Sequence, residues 1–95
     1  MTDCVIQATV KWNKELNKNY QKNLTLFTAE QKEKFRIAQQ KWIAYRDKEI
    51  ELSNQIYSDM EGTMWIHISA ETKLELTKQR TLVLEGYIAN LTIDK

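Results

Sequence analysis

Proline is absent from these 95 residues, glycine occurs only at Gly62 and Gly86, and cysteine only at Cys4. Without proline and with so little glycine, the chain lacks the turn chemistry that a small sheet protein needs, so hairpin-rich folds are excluded. A lone cysteine cannot form an intrachain disulfide or build a thiolate metal site. No apolar run approaches the ~20 residues that span a bilayer, so no membrane span is expected. There is no glycine-rich phosphate loop, and the single histidine, His67, has only Glu71 one turn away as a second ligand. Two exposed ligands make a poor metal site, so no metal and no cofactor are expected.

What is present favours helix. Hydrophobic residues make up 42% and charged residues 28%, which is enough apolar surface for one small core and argues against disorder. Net charge is +1, but it is unevenly spread. Residues 11–48 carry a balance of +6 and residues 49–95 a balance of −4. Lys11, Lys14, Lys18 and Lys22 form one row, and Lys34, Lys41 and Lys48 another. No arginine cluster or nucleic-acid motif accompanies them, so the rows read as solvated faces and no nucleic-acid partner is expected.

The periodicity predicts a single all-α domain over 1–95, an antiparallel bundle of three main helices with short connections. The first helix is expected from Thr2 to Leu24, with Val5, Trp12, Leu16, Tyr20 and Leu24 inward. Thr28 followed by Gln31 has the form of a capping box and starts the second helix, which should reach Asp59. The short connection makes the first two helices antiparallel neighbours. Phe35, Ala38, Trp42, Ile43, Tyr45, Leu52, Ile56 and Met60 form the second helix's apolar arc. Gly62 ends that helix and Thr63 caps the third, which begins between Met64 and Ala70 and runs to Asn90. Its inward arc reads Ile66, Ala70, Leu74, Thr77, Thr81, Leu84, Ile88 and Leu91. Gly86 within it marks a close helix contact or fraying.

Polar side chains within these arcs are the candidate chemistry. Gln39, Trp42, Tyr45, Arg46, Glu49 and Arg80 form an expected structural polar cluster. Arg80 or Arg46 should reach Glu49, because a buried unpaired guanidinium is costly. An arginine pocket for a carboxylate or phosphate is the alternative use of the Arg46, Glu49 and Arg80 group. The segment Met60-Glu61-Gly62-Thr63-Met64-Trp65 gathers large apolar residues on a connection. Glu61, Thr63, Met64 and Trp65 are therefore the candidate partner-binding residues, with covering of the core end as the competing use. Asn23-Leu24-Thr25 and Asn90-Leu91-Thr92 match the glycosylation pattern, a tripeptide that often arises by chance. No catalytic residue is nominated: neither Cys4 nor His67 has a supporting third group, and no carboxylate pair stands out.

Four segments, Leu16-Asn17-Lys18-Asn19-Tyr20, Gln39-Gln40-Lys41-Trp42-Ile43-Ala44-Tyr45-Arg46-Asp47, Glu61-Gly62-Thr63 and Leu76-Thr77-Lys78-Gln79-Arg80, carry a resemblance in order. They are similar to the Leu-Asn-x-x-Tyr start, the Gln-x-x-Trp-x-x-Tyr-Arg signature, the glycine-rich turn and the Leu-Thr-x-x-Arg segment of the lysozyme inhibitor LprI family. The likeness covers about 16–87. It implies an all-helical, non-enzymatic bacterial protein, periplasmic or secreted, that binds another protein, with a lysozyme as one target. Family members commonly carry a cysteine pair that bridges the last two helices, where this chain has Ile50 and Lys73. Met1-Thr2-Asp3-Cys4 has neither the basic start nor the apolar run of a signal peptide. An interior protein and a mature exported form both stay open on that evidence, as does a homodimer.

Overall fold

The computed structural model describes residues 2–59 and 64–93, and all three expected helices are there. They are α1 (Thr2–Leu26), α2 (Ala29–Tyr57) and α3 (Met64–Thr92). Among the described residues there is no strand. Gly62 and Thr63, the expected stop and cap, lie outside the described residues.

The turn from α1 to α2 is built as the sequence predicts. Thr28 sits in extended backbone (φ −69°, ψ 168°), its side chain accepts from the Gln31 amide, and the Gln31 side chain accepts from the Thr28 amide. This reciprocal pair satisfies two amides at a helix start that would otherwise have no partner. At the other end α2 stops at Tyr57, two residues short of expectation. The Ser58 hydroxyl donates to the Gln55 carbonyl there, capping one of the last carbonyls locally.

α2 runs antiparallel to its neighbours, and α1 and α3 run parallel to each other. The cross-links show the direction: Trp12, Asn19 and Asn23 meet α3 at Thr81, Thr81 and Leu84, whereas Gln39 and Asn54 meet it at Arg80 and Ser69. The main interface is α1 with α3, then α2 with α3. The first two helices were expected as antiparallel neighbours; they are antiparallel, but the main packing of each is with α3. They meet at the turn end, through the stacked rings of Tyr20 and Phe35 (4.8 Å).

The α1–α3 seam explains this preference. The residues of α1 at least partly withdrawn from water include Val5, Trp12, Leu16, Asn19, Asn23 and Leu26, at the alternating three- and four-residue spacing of a packed helix seam. Opposite them, Thr77, Thr81 and Leu84 are almost wholly buried. The Asn23 amide donates to Leu84 O and to Asn19 O, both at 3.0 Å, and Asn19 donates to Thr81 O at 3.4 Å. The Thr81 hydroxyl lies 2.7 Å from Thr77 O and 3.3 Å from Trp12 O. Side-chain amides thus use the second lone pairs of helix carbonyls to tie the two backbones together. The inward line predicted for α1 contained Tyr20 and Leu24 and omitted both asparagines.

The apolar core is small. Leu16, Phe35 and Leu84 are its buried members, and Tyr20, Leu24, Phe27 and Trp42 pack against them. Phe27 meets Phe35 edge-on at 5.0 Å, and Tyr87 completes the cluster at 6.4 Å from Phe35. Aromatic pairs in these geometries add about 0.5–1.5 kcal/mol each beyond burial.

Gly86 is neither crowded nor strained: a Cβ there would meet nothing within 4 Å. The close contact expected at this position is absent. Gly86→Ala should therefore raise stability by about 0.5–1 kcal/mol, from helix propensity and a stiffer unfolded chain. Urea unfolding followed by circular dichroism measures it, and a destabilised variant would contradict the open space.

Candidate functional site

The side of α2 that faces α3 is unexpectedly polar. Phe35, Gln39, Trp42, Arg46, Glu49 and Ser53 follow one another at four- and three-residue steps, and all are at least partly withdrawn from water. Of the predicted apolar arc, Phe35 and Trp42 lie on this seam and several others do not. Ala38, Ile43, Leu52 and Ile56 are exposed, and Tyr45 is 53% exposed. Met60 lies outside the described residues. One residue is a rotation of about 100° on a helix, so of the two neighbours expected on this face Arg46 is packed and Tyr45 faces solvent.

Arg80 joins this seam from α3. Its Nε donates to Gln39 Oε1 at 2.9 Å. Burial holds the Arg80 guanidinium below its ordinary pKa, and the charge and hydrogen bonding of the Tyr87 phenol oppose that shift. Arg46 instead turns back over Trp42, with its guanidinium carbon 5.1 Å from the ring centre. Its Nη2 makes only a 3.4 Å contact with Asp47 Oδ1. Neither arginine pairs with Glu49, contrary to the sequence expectation. The reason is register. Arg80 sits at the level of Gln39, ten residues before Glu49, roughly 15 Å along the helix axis. Arg46 spends its reach on the preceding turn. Gln39, Trp42, Arg46, Glu49 and Arg80 therefore share one seam without forming one bonded cluster, and Tyr45 stands outside it.

The seam has incomplete hydrogen bonding. Arg46 Nε, Arg80 Nη2 and Ser53 Oγ are buried without a protein partner. Such groups mark places where a small polar species is favoured. Beside Arg46 a cleft of about 200 Å³ opens where all three helices meet, lined by Thr9, Val10, Asn13, Arg46, Lys73 and Thr77. Sequence reasoning missed Asn13 and Lys73 as members of this site. Their only local signal was position: Thr9 and Asn13 lie one turn apart on α1, as Lys73 and Thr77 do on α3.

Of the four candidate partner-binding residues, Glu61 and Thr63 lie outside the described residues. Met64 is 54% exposed and Trp65 is half-buried at the start of α3. The lysine rows at 11, 14, 18, 22, 34, 41 and 48 are all exposed. Cys4 is exposed and carries a free thiol. Asn23, though within a glycosylation pattern, is fully buried and so is closed to modification in the folded chain. Among the described residues, no group of three His, Cys, Asp or Glu is placed to hold a metal ion, and no helix is long and apolar enough to cross a membrane.

A family model described as "Lysozyme inhibitor LprI" matches residues 1–84, most of the chain. The chain belongs to the lysozyme inhibitor LprI family. No curated protein and no solved structure matches it. The LprI match begins at residue 1, so it takes in the N-terminal half of α1 that the motif resemblance from Leu16 onward left out. That half supplies Thr9 and Asn13 to the cleft. The Trp42 and Arg46 of the LprI-like signature are the cation–ring pair on the seam, and its Gln39 is the partner of Arg80. At the places where the resemblance implies cysteines, half-buried Ile50 and exposed Lys73 stand instead. One turn beyond Ile50, Asn54 accepts a hydrogen bond from the Ser69 hydroxyl and ties α2 to α3.

Proposed function

We propose that this LprI-family chain is a non-enzymatic binding protein of the bacterial envelope or its surroundings that acts by contacting another protein, with a lysozyme as the target to test first. The family match over residues 1–84 carries this reading. The surface supports it. Ile6, Val10, Leu52, Ile56 and Met64 are each about half exposed on a bundle only 16 Å across its thinnest direction. Apolar side chains left outside a small core are the raw material of a protein interface.

Net charge of +1 provides no long-range attraction to a basic enzyme, so association would rest on short-range contact and depend only weakly on salt. A turbidity assay of cell-wall lysis, run with added protein against several lysozyme types, tests the proposal. Slower lysis with at least one enzyme is expected, little changed between low and moderate salt and weakened by Trp65→Ala. Unchanged lysis at large molar excess for every enzyme would remove the inhibitor reading.

A further inference from the structure

We propose that the cleft between Arg46, Lys73 and Asn13 is a binding site for a small oxyanion, a phosphate or a carboxylate. The inference stands on the cleft alone and does not depend on lysozyme being a target.

The wall residues come from all three helices: Asn13 and Thr9 from α1, Arg46 from α2, Lys73 and Thr77 from α3. Two of them are cations and none is a carboxylate. The nearest acid contact is Asp47, adjacent in sequence to Arg46. It is 59% exposed and reaches Nη2 only at 3.4 Å, so it neutralises the guanidinium poorly. The two threonine hydroxyls already donate to helix carbonyls, Thr9 to Val5 O and Thr77 to Lys73 O, both at 2.8 Å. Donation to a ligand therefore falls to the Arg46 guanidinium, the Lys73 ammonium and the Asn13 amide.

Arg46 is prepared for such a ligand. The Arg46 guanidinium carbon lies 5.1 Å from the centre of the Trp42 ring, and this contact holds the cation beside the cleft. Its Nε has no partner and the Nη2 contact is long. A carboxylate or phosphate in the cleft would accept from Nη2, and a small turn of the guanidinium would bring the shielded Nε–H to it as well, in the fork geometry that arginine favours. Lys73 adds a second positive charge, and a cleft of about 200 Å³ admits a small anion. Arg36, by contrast, is fully engaged by Glu33 on the surface and offers no such edge.

The test is an NMR titration of the isotope-labelled chain with inorganic phosphate and, separately, with citrate, each against sodium chloride at matched ionic strength. The Arg46 Nε–H and Asn13 side-chain amide signals report on the cleft. Saturable shifts are expected with at least one anion. Phosphate alone points to a phosphate ligand, citrate alone to a carboxylate, and both to a general oxyanion site. Lys73→Gln, at an exposed position, should keep the fold and weaken binding about tenfold, and Arg46→Gln should abolish the Asn13 response. Should Arg46→Gln fail to fold, Lys73→Gln still decides the matter. Shifts no larger than those in chloride, or equal affinity in Lys73→Gln and the parent chain, would overturn the proposal.

Discussion

Leu84→Ala is expected to destabilise the bundle by about 3 kcal/mol, within the 2–5 kcal/mol typical of such a truncation at a buried site. Leu84 is 0% exposed and is one of three buried hydrophobic residues, with Leu16 and Phe35, in the central cluster. The loss combines the transfer free energy of the removed carbons with a cavity that two hydrogen-bonded backbones resist closing. The Leu84 carbonyl receives the Asn23 amide, so α1 cannot easily slide in to fill the space. For 95 residues the whole folding free energy is on the order of 5–14 kcal/mol, so a deletion of this size removes a large share of it. Urea denaturation should show a lower midpoint with an unchanged slope. A loss below about 1 kcal/mol would show that the small core is not what holds the bundle together.

Asn23→Asp should produce a loss that grows with pH. Asn23 is fully buried, and its amide nitrogen donates to two carbonyl oxygens at 3.0 Å. An aspartate carboxylate has no proton to donate and would face those oxygens without water, at a cost of several kcal/mol. The neutral acid can still donate to one of them. Folding therefore favours the protonated form and raises the folded-state pKa above the unfolded value of about 3.9. Below that unfolded value the charge penalty is absent. It grows by about 1.4 kcal/mol for each pH unit from there up to the folded-state pKa, then levels off. Unfolding of the variant and the parent chain at pH 4 and pH 7 should show a much larger gap at pH 7. Equal gaps would mean that Asn23 is not the sealed donor its geometry indicates.

These two residues also show how far the sequence could be read. Leu84 was legible, because it lies on a long regular row from Ala70 through Leu74, Thr77 and Thr81 to Ile88, all of which is withdrawn from water. At the ends of that row Ile66 and Leu91 are 40% and 42% exposed, since little of the bundle remains beyond them to cover them. Asn23 was not legible. Polarity argues for water, and only the Leu84 and Asn19 carbonyls at hydrogen-bond distance make burial acceptable. Both Tyr45 and Arg46 were expected on the inward face, and only Arg46 is there. The aromatic residue looks like the better core member, yet its phenol is left to solvent, while Arg46 gains the Trp42 face. Glu49 lies on the seam without the arginine partners expected for it, because pairing across helices depends on axial register, which no local spacing encodes.

The Thr28 cap, the helical periods, the want of turn residues and the ordered LprI-like segments are properties of neighbouring residues, and they were enough to define three helices and a family. Which helices pack together, and which side chains meet at the Arg46 cleft, depended on groups sixty residues apart finding complementary partners. A mixed polar and aromatic helix has several faces of similar burial energy, and the hydrogen-bonding groups of the helix across from it choose among them.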